Sequence, residues 1–449
     1  MLPIQLLDSL RETKGFDKEA FEKVHTSGEQ ITSIRINPAK QSKIKNLKSK
    51  IPWCETGFYL EERPSFTFDP LFHAGCYYVQ EASSMFIEQA FKQLPDLSQP
   101  LKVLDLSAAP GGKSTHIQSL ISKDSLLVGN EVIRSRANIL KDNIIKWGCE
   151  NVMVTNNDPK DFARLENYFD VIVVDAPCSG SGLFRREPEA IEEWSLNNVQ
   201  LCSQRQHRIL ADVWPALKKN GILIYSTCSY SKEEDEDIMD WIGNKLPTAN
   251  CQLSLSSDWK ITETISDSGN FGYRFWPDKV KGEGFFLACF RKTDGEESLS
   301  LKIKNKTEPV TKKELSILEK WMRIEGNQFI KNNETIYAWP EKIANDFNLL
   351  LNQLRVLYSG TIIGAIVRDK LIPDHALAMS NVKSDSIEKT SLNEEQAIRY
   401  LQRKDLQLET VNKGWQLVTY EGHSLGWINV LPNRINNYYP KELRILKDR

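Results

Sequence analysis

The chain has 449 residues, with 58 basic and 60 acidic side chains and a net charge of −2. Its 40% hydrophobic and 26% charged fractions are ordinary for globular protein, which argues against a disordered chain and gives room for roughly two to four domains. No apolar run approaches bilayer length, the first ten residues lack a basic stretch, and the eight cysteines are scattered without a CxxC pair or a nearby histidine cluster. The expectation is a cytoplasmic protein with reduced thiols, no membrane association and no metal site.

The first 70 residues open with a helical pattern, pass through a strand at 31–37 and end in a lysine run. Lys40, Lys43, Lys45, Lys48 and Lys50 fall within residues 39–50, which hold no acid. Over 71–293 short apolar strands, at 101–106, 126–130, 152–155, 171–174, 222–225 and 285–290, alternate with helical patterns. In one of these, Ala137, Leu140, Ile144 and Trp147 fall on a single helix face that Gly148 would cap. Such alternation predicts an α/β fold with a doubly wound, Rossmann-like parallel sheet. A polar stretch at 294–312 marks the next boundary. Beyond it come a helical segment at 314–323, a strand at 361–367 and a hairpin-like stretch at 415–430. Residues 300–449 carry 23 basic against 18 acidic side chains, so positive charge lies outside the central region, as RNA contact at the flanks would require.

Chemistry concentrates at the ends of the central strands. Asp105-Leu-Ser-Ala-Ala-Pro-Gly-Gly-Lys113 follows a strand and opens a helix, so Ser107, Ala108, Ala109, Pro110, Gly111, Gly112 and Lys113 form a loop that a ligand can approach closely. The next strand ends in Glu131, placed to accept hydrogen bonds from a ribose, and the following one leads to Asp158. Three successive strand ends thus predict a nucleoside-bearing cofactor. Residues 107–114 nearly match a phosphate-binding GxxxxGK[ST] loop, which would make a nucleotide hydrolase. Against that reading, Ser107 replaces the first glycine and Pro110 removes an N–H the phosphates would need.

Asp175-Ala-Pro-Cys-Ser-Gly-Ser-Gly182 ends the fourth strand and Ser226-Thr-Cys-Ser-Tyr230 the fifth, so Asp175, Cys178 and Cys228 converge on the same edge. Carbon 5 of a cytosine is a poor nucleophile. A thiolate adding to carbon 6 makes the ring enamine-like and able to accept an electrophilic methyl, while an acid near nitrogen 3 stabilises the developing charge. Methylation of an adenine amino group would instead want an aromatic residue where Cys178 stands.

These segments, with Ser33-Ile-Arg-Ile-Asn-Pro38, Tyr78-Val-Gln-Glu-Ala-Ser-Ser-Met85 and Gly284-Phe-Phe-Leu-Ala-Cys-Phe290, resemble the RNA cytosine-carbon-5 methyltransferases of the RsmB, RsmF and Sun type. The resemblance implies S-adenosylmethionine as cofactor, Cys228 as nucleophile, Cys178 as the thiol assisting breakdown of the adduct, Asp175 on the cytosine ring and Lys113 close to the reacting centre. DNA enzymes place their nucleophile in a motif like Pro177-Cys178, so exchanged cysteine roles stay open. Ser107 to Lys113, Glu131, Asp158 and Asp175 would line the cofactor site. The C-terminal extension, with Pro373-Asp-His-Ala-Leu-Ala-Met379 and Arg434-Ile-Asn-Asn-Tyr-Tyr-Pro440, resembles the RsmF type, which implies 16S ribosomal RNA as substrate, with transfer RNA as the alternative. The implied domains are an N-terminal RNA-binding domain (1–70), a catalytic domain (71–293), a linker domain (300–380) and a PUA-like RNA-binding domain (381–449), in a monomer. Arg274-Phe-Trp-Pro-Asp278 departs from a common family pattern with His after the proline. A non-catalytic RNA-binding protein on the same fold is the reading of a different class.

Overall fold

The computed structural model describes residues 2–295, 306–408 and 412–448. A four-stranded antiparallel sheet comes first, with β1 (Ser33–Ile36), β2 (Leu47–Lys50), β3 (Gly57–Leu60) and β4 (Tyr77–Val79) in the order β2-β3-β1-β4. Its last strand lies beyond the boundary expected at residue 70. Arg35 of β1 is fully buried and fastens this sheet to its neighbour. Its guanidinium donates to Gln80 Oε1 at 2.9 Å and to Thr115 Oγ1 at 2.6 Å, and it lies 4.6 Å from the Trp147 ring centroid.

The central sheet contains β5 (Lys102–Asp105), β6 (Leu126–Asn130), β7 (Val152–Thr155), β8 (Phe169–Asp175), β9 (Leu217–Thr227), β10 (Thr248–Asn250), β11 (Thr262–Ile265), β12 (Phe271–Phe275) and β13 (Phe285–Lys292). The run β9-β8-β5-β6-β7 is parallel, and β13, β12 and β11 continue antiparallel beyond β9. Side chains alternate across it with period two. Val103, Leu127, Val171, Val173 and Ile224 face one core, with Ile117, Leu140 and Ile144 from the helices Gly112–Leu120 and Arg134–Trp147. Leu104, Leu126, Val128, Ile172 and Val174 face the other, with Ile209, Leu210 and Val213 from helix Leu196–Val213. Both faces are covered, as a parallel sheet requires. The doubly wound fold read from the sequence is the fold observed.

The C-terminal third is built into this body, not appended to it. After β14 (Glu308–Pro309), β15 (Asn327–Asn332) and β16 (Thr335–Pro340), the chain enters helix Ala344–Gln353. Phe347 and Leu350 of that helix belong to the second core of the central sheet. Next, β17 (Val356–Ser359) adds antiparallel to the β7 edge. β18 (Thr361–Val367) and β19 (Lys370–Pro373) complete a sheet in the order β14-β15-β16-β18-β19. The last sheet is β20 (Lys389–Leu392), β21 (Gly414–Tyr420), β22 (His423–Leu431) and β23 (Arg434–Asn437). Its Val418 and Ile428, with Tyr400 of helix Glu394–Leu401 and Tyr439 after β23, share one core with Ile34, Leu60 and Tyr77 of the N-terminal sheet and Leu71 of the helix Pro70–His73.

A tail supplying only RNA contacts would leave the catalytic body folded when removed. This packing predicts the opposite for a chain ending at Gly295, because it loses the cover of two cores. A milder probe is Phe347→Ala, which should cost about 3–5 kcal/mol by urea denaturation. An unchanged unfolding midpoint would show that the extension is not integral.

Candidate active site

The switch in strand order lies between β5 and β8, where the chain turns from building one side of the sheet to building the other. Such a crevice, outside the carboxyl ends of the strands, is where open α/β sheets bind ligands. The loop after β5 reaches helix Gly112–Leu120 through Gly111, whose φ of +115° is left-handed and strains any other residue. Ser107, Ala108, Ala109, Pro110, Gly112 and Lys113 from that loop, Asp175 at the end of β8 and Cys228 after β9 all wall one cavity of about 300 Å³.

Two contacts organise that cavity. Lys113 Nζ lies 2.8 Å from Asp175 Oδ2, and Ser226 Oγ donates to Asp175 Oδ1 at 2.8 Å. Burial pulls the Lys113 ammonium pKa down, but Asp175 above all, then Asp105 and Cys228, hold it above its usual range. The second contact is between sulfurs: Cys178 Sγ and Cys228 Sγ are 3.1 Å apart, and both thiols are free. The hydrogen bond with Cys228, then burial, then the negative charge of Glu234 push the Cys178 thiol well above its usual pKa.

Three backbones meet beside these sulfurs. Gly182 N–H donates to the Cys228 carbonyl at 2.8 Å, and Gly284 N–H to the Gly182 carbonyl at 3.0 Å. A Cβ at Gly182 would come within 2.7 Å of the Cys228 and Gly284 carbonyl oxygens, so the approach needs glycine. Behind Cys228, Tyr230 stacks on Trp276, and the buried Arg274 pairs with Asp235 and Glu236. The Arg274–Asp278 segment that departs from the family pattern thus supports the loop after β9 from below.

Sequence reasoning found the loop, the acids and both cysteines, but not the opposite wall. Tyr78 of β4, Gln80 and Glu81 just after it, and Glu283, preceding β13, complete the cavity. They fall in or beside matched segments, which was the available signal, but nothing in their spacing gave them a place in the site. Burial raises the Glu283 carboxyl to about 7. Gly111, Glu131 and Asp158 lie outside this cavity wall. Glu131 Oε1 accepts from Ile133 N–H at 2.9 Å and its Oε2 lies 3.4 Å from Arg136, while Asp158 accepts from Lys160 N–H at 3.2 Å.

One histidine does approach a cysteine, contrary to the reading of scattered positions. The buried Cys54 Sγ is 3.7 Å from His116 Nε2, which is 3.0 Å from Glu88 Oε2. The charge a metal would balance is already met by Lys92 Nζ, 2.6 Å from Glu88 Oε1.

The comparisons agree on one family. The family model for 16S rRNA methyltransferase RsmB/F matches residues 95–291, that for the N-terminal domain of 16S rRNA methyltransferase RsmF matches 2–82, and that for the methyltransferase RsmF PUA domain matches 388–445. Ribosomal RNA small subunit methyltransferase F of Shewanella piezotolerans is 30% identical over 434 residues, covering 92% of this chain and 90% of the relative. The namesake protein of Shewanella woodyi is 33% identical over 441 residues, with the same two coverages. The chain belongs to the ribosomal RNA small subunit methyltransferase F family. A methyltransferase homologue from Pyrococcus horikoshii has a TM-score of 0.52 at 27% identity, covering 65% of this chain and 100% of its own. The fold is also that of NSun6 from Pyrococcus horikoshii, determined with an analogue of S-adenosylmethionine (TM-score 0.54, 19% identity, covering 65% of this chain and 99% of that chain).

Members of this family are S-adenosylmethionine-dependent methyltransferases, and the residues here fit that cofactor. Glu131, Asp158 and Asp175 make the strand ends acidic. That suits the cationic sulfonium and ammonium of S-adenosylmethionine and opposes the phosphates of a nucleotide hydrolase. Asp105 Oδ2 takes the Ser114 hydroxyl at 2.6 Å, whereas its buried Oδ1 has no donor among the described residues, as a ligand-binding edge would leave it.

Burial, above all, lifts the Asp105 carboxyl to about 7. A folded-state pKa raised above the unfolded value gives stability that is complete in acid and is lost as pH rises through about 7. Asp105→Asn should therefore gain on the wild type as pH goes from about 5 to 8, read from urea midpoints of the two proteins. A difference independent of pH would refute the neutral carboxyl.

Proposed function

We propose that this enzyme methylates carbon 5 of a cytidine in 16S ribosomal RNA through a covalent bond from Cys228 to carbon 6 of the base. The observation that carries the reading is the sulfur contact: two free thiols 3.1 Å apart, on the same edge as the Lys113–Asp175 pair. A thiol held protonated can donate a hydrogen bond to a neighbouring sulfur, and Cys178 is the one so held, which leaves Cys228 as the candidate nucleophile. The ribosomal substrate follows the relatives' names, and matches at both ends of the chain support it over transfer RNA.

In this reading the Cys228 thiolate forms the S–C6 bond, and the C5–C6 π pair moves into the ring toward carbon 5 and nitrogen 3. Asp175, steadied by Lys113 and Ser226, faces nitrogen 3 and stabilises the ring as its charge changes. S-adenosylmethionine, when bound, supplies the electrophilic methyl that carbon 5 accepts. Loss of the carbon-5 proton then restores the C5–C6 double bond, and the S–C6 electron pair returns to Cys228. Cys178, held protonated, assists this last stage by donating its hydrogen bond to the leaving Cys228 sulfur, while the carbon-5 proton passes to solvent water. Ser107 to Lys113 with Glu131, Asp158 and Asp175 would hold the cofactor. Glu131 would meet the ribose hydroxyls, its carboxylate already oriented by Ile133 N–H. The target base must leave any stack to reach Cys228, at a cost of about a few kcal/mol that contacts from the N-terminal and PUA domains can offset.

Cys228→Ala should abolish methylation and leave S-adenosylmethionine binding intact by calorimetry. Cys178→Ala should form an RNA–protein adduct that persists on denaturing gels, since attack proceeds while elimination stalls. The same band with Cys228→Ala in place of Cys178→Ala would exchange the two roles, and normal turnover by Cys228→Ala would remove the covalent mechanism.

A further inference from the structure

Two loops leave different strands, yet their sulfurs touch. The residue that joins them lies outside both motifs. Glu234, in the short 3-10 turn Lys232–Glu234, is fully buried. Its Oε1 accepts from Ser179 N–H at 2.7 Å, and its Oε2 accepts from Ser179 Oγ and Ser229 Oγ, each at 2.6 Å. Ser179 follows Cys178, and Ser229 follows Cys228. Gln206, from helix Leu196–Val213, adds a donation at 3.1 Å to the Pro177 carbonyl and at 3.5 Å to Glu234 Oε1. Pro177 and Ser179, the residues on either side of Cys178, are therefore both held. The same is true of Cys228, because Thr227 Oγ1 donates to Asp235 Oδ1 at 2.6 Å.

The chemistry of this carboxylate is unusual for a purely structural residue. Among the described residues it makes no ion pair, so its charge is met by a backbone N–H, two hydroxyls and an amide. Burying a charge without a counterion is costly, and a neutral side chain would pack a core more cheaply. Ionised, it accepts several short, charge-assisted bonds at once, which a neutral residue of that size cannot do.

We infer that Glu234 is a positioning residue for both cysteines: its carboxylate locks the loop after β8 to the loop after β9 and so keeps Cys178 in contact with Cys228. This rests on the covalent reading above. It extends that reading by locating the element that fixes the distance between the two thiols. The same charge opposes ionisation of Cys178, which keeps the assisting thiol protonated beside the attacking one.

The test is single-turnover methyl transfer to ribosomal RNA by the full-length enzyme and by Glu234→Gln, Ser179→Ala and Ser229→Ala. Glu234→Gln should be slower by roughly ten- to a hundredfold, the loss expected when reacting groups shift by about an ångström, with unchanged S-adenosylmethionine affinity. Each serine variant should slow the wild type but have no further effect in the Glu234→Gln background, because the contact is already gone. Iodoacetamide labelling of Cys178 and Cys228, followed by mass spectrometry, should speed up in Glu234→Gln as the loops loosen. A wild-type rate in folded Glu234→Gln, or serine effects that add to it, would overturn the inference. If Glu234→Gln fails to fold, wild-type rates in both serine variants would do the same. Cys228→Ala run in parallel separates the two claims. If it is active, the covalent reading fails. If it is inactive while Glu234→Gln is normal, only the positioning role fails.

Discussion

The parallel pairing of β5 with β8 is the constraint from which the site follows. These strands are neighbours in space, but the chain departs from them in opposite directions, to β6 on one side and to β9 on the other. Their following loops cannot cover one another, so a crevice stays open above the pair. Everything with chemistry is delivered to that crevice by the same rule of parallel sheets, that every strand presents its carboxyl end on one edge. Asp105, Asp175 and Cys228 come together without any of them being close in sequence.

The rest of the molecule stabilises and walls that edge. Arg35 reaches from the N-terminal sheet under the glycine loop, and its guanidinium binds the first turn of helix Gly112–Leu120 through Thr115 and the Gly112 carbonyl. The N-terminal helices pack Leu6, Leu7 and Phe21 against Tyr230 and Trp276, just beyond Cys228. On the far edge, β17 and helix Ala344–Gln353 cover the sheet from the C-terminal side, and the last domain shares a core with the first. A surface for RNA and the frame of the active site are thus one packed body.

Much of this was legible in the sequence, and the boundary falls where physics would put it. The strands 126–130 and 152–155, the strand 361–367 and the helix 134–147 have the observed limits, because local hydrophobic periodicity and a C-capping glycine set them. The strand-end acids and cysteines were legible because a parallel sheet fixes which end of each strand matters. What was hidden depends on contacts distant along the chain. Tyr78 and Glu283 join the cavity across 205 residues, Glu234 binds Ser179 55 residues away, and β17 finds β7 from beyond a domain boundary. No local pattern marks a residue for such a role. Basic residues in the tail pointed to RNA contact at the flanks. Charge counting cannot see that Phe347 and Leu350 are core.

The central claim is that Cys228 bonds to the target base. It is tested most directly by presenting the wild-type enzyme with S-adenosylmethionine and 16S ribosomal RNA containing 5-fluorocytidine. In that RNA the carbon-5 substituent cannot leave as a proton and the adduct is trapped. After nuclease and protease digestion, mass spectrometry should find the nucleotide on the peptide containing Cys228. A nucleotide on Cys178 would contradict the account, as would methylation with no covalent species at all.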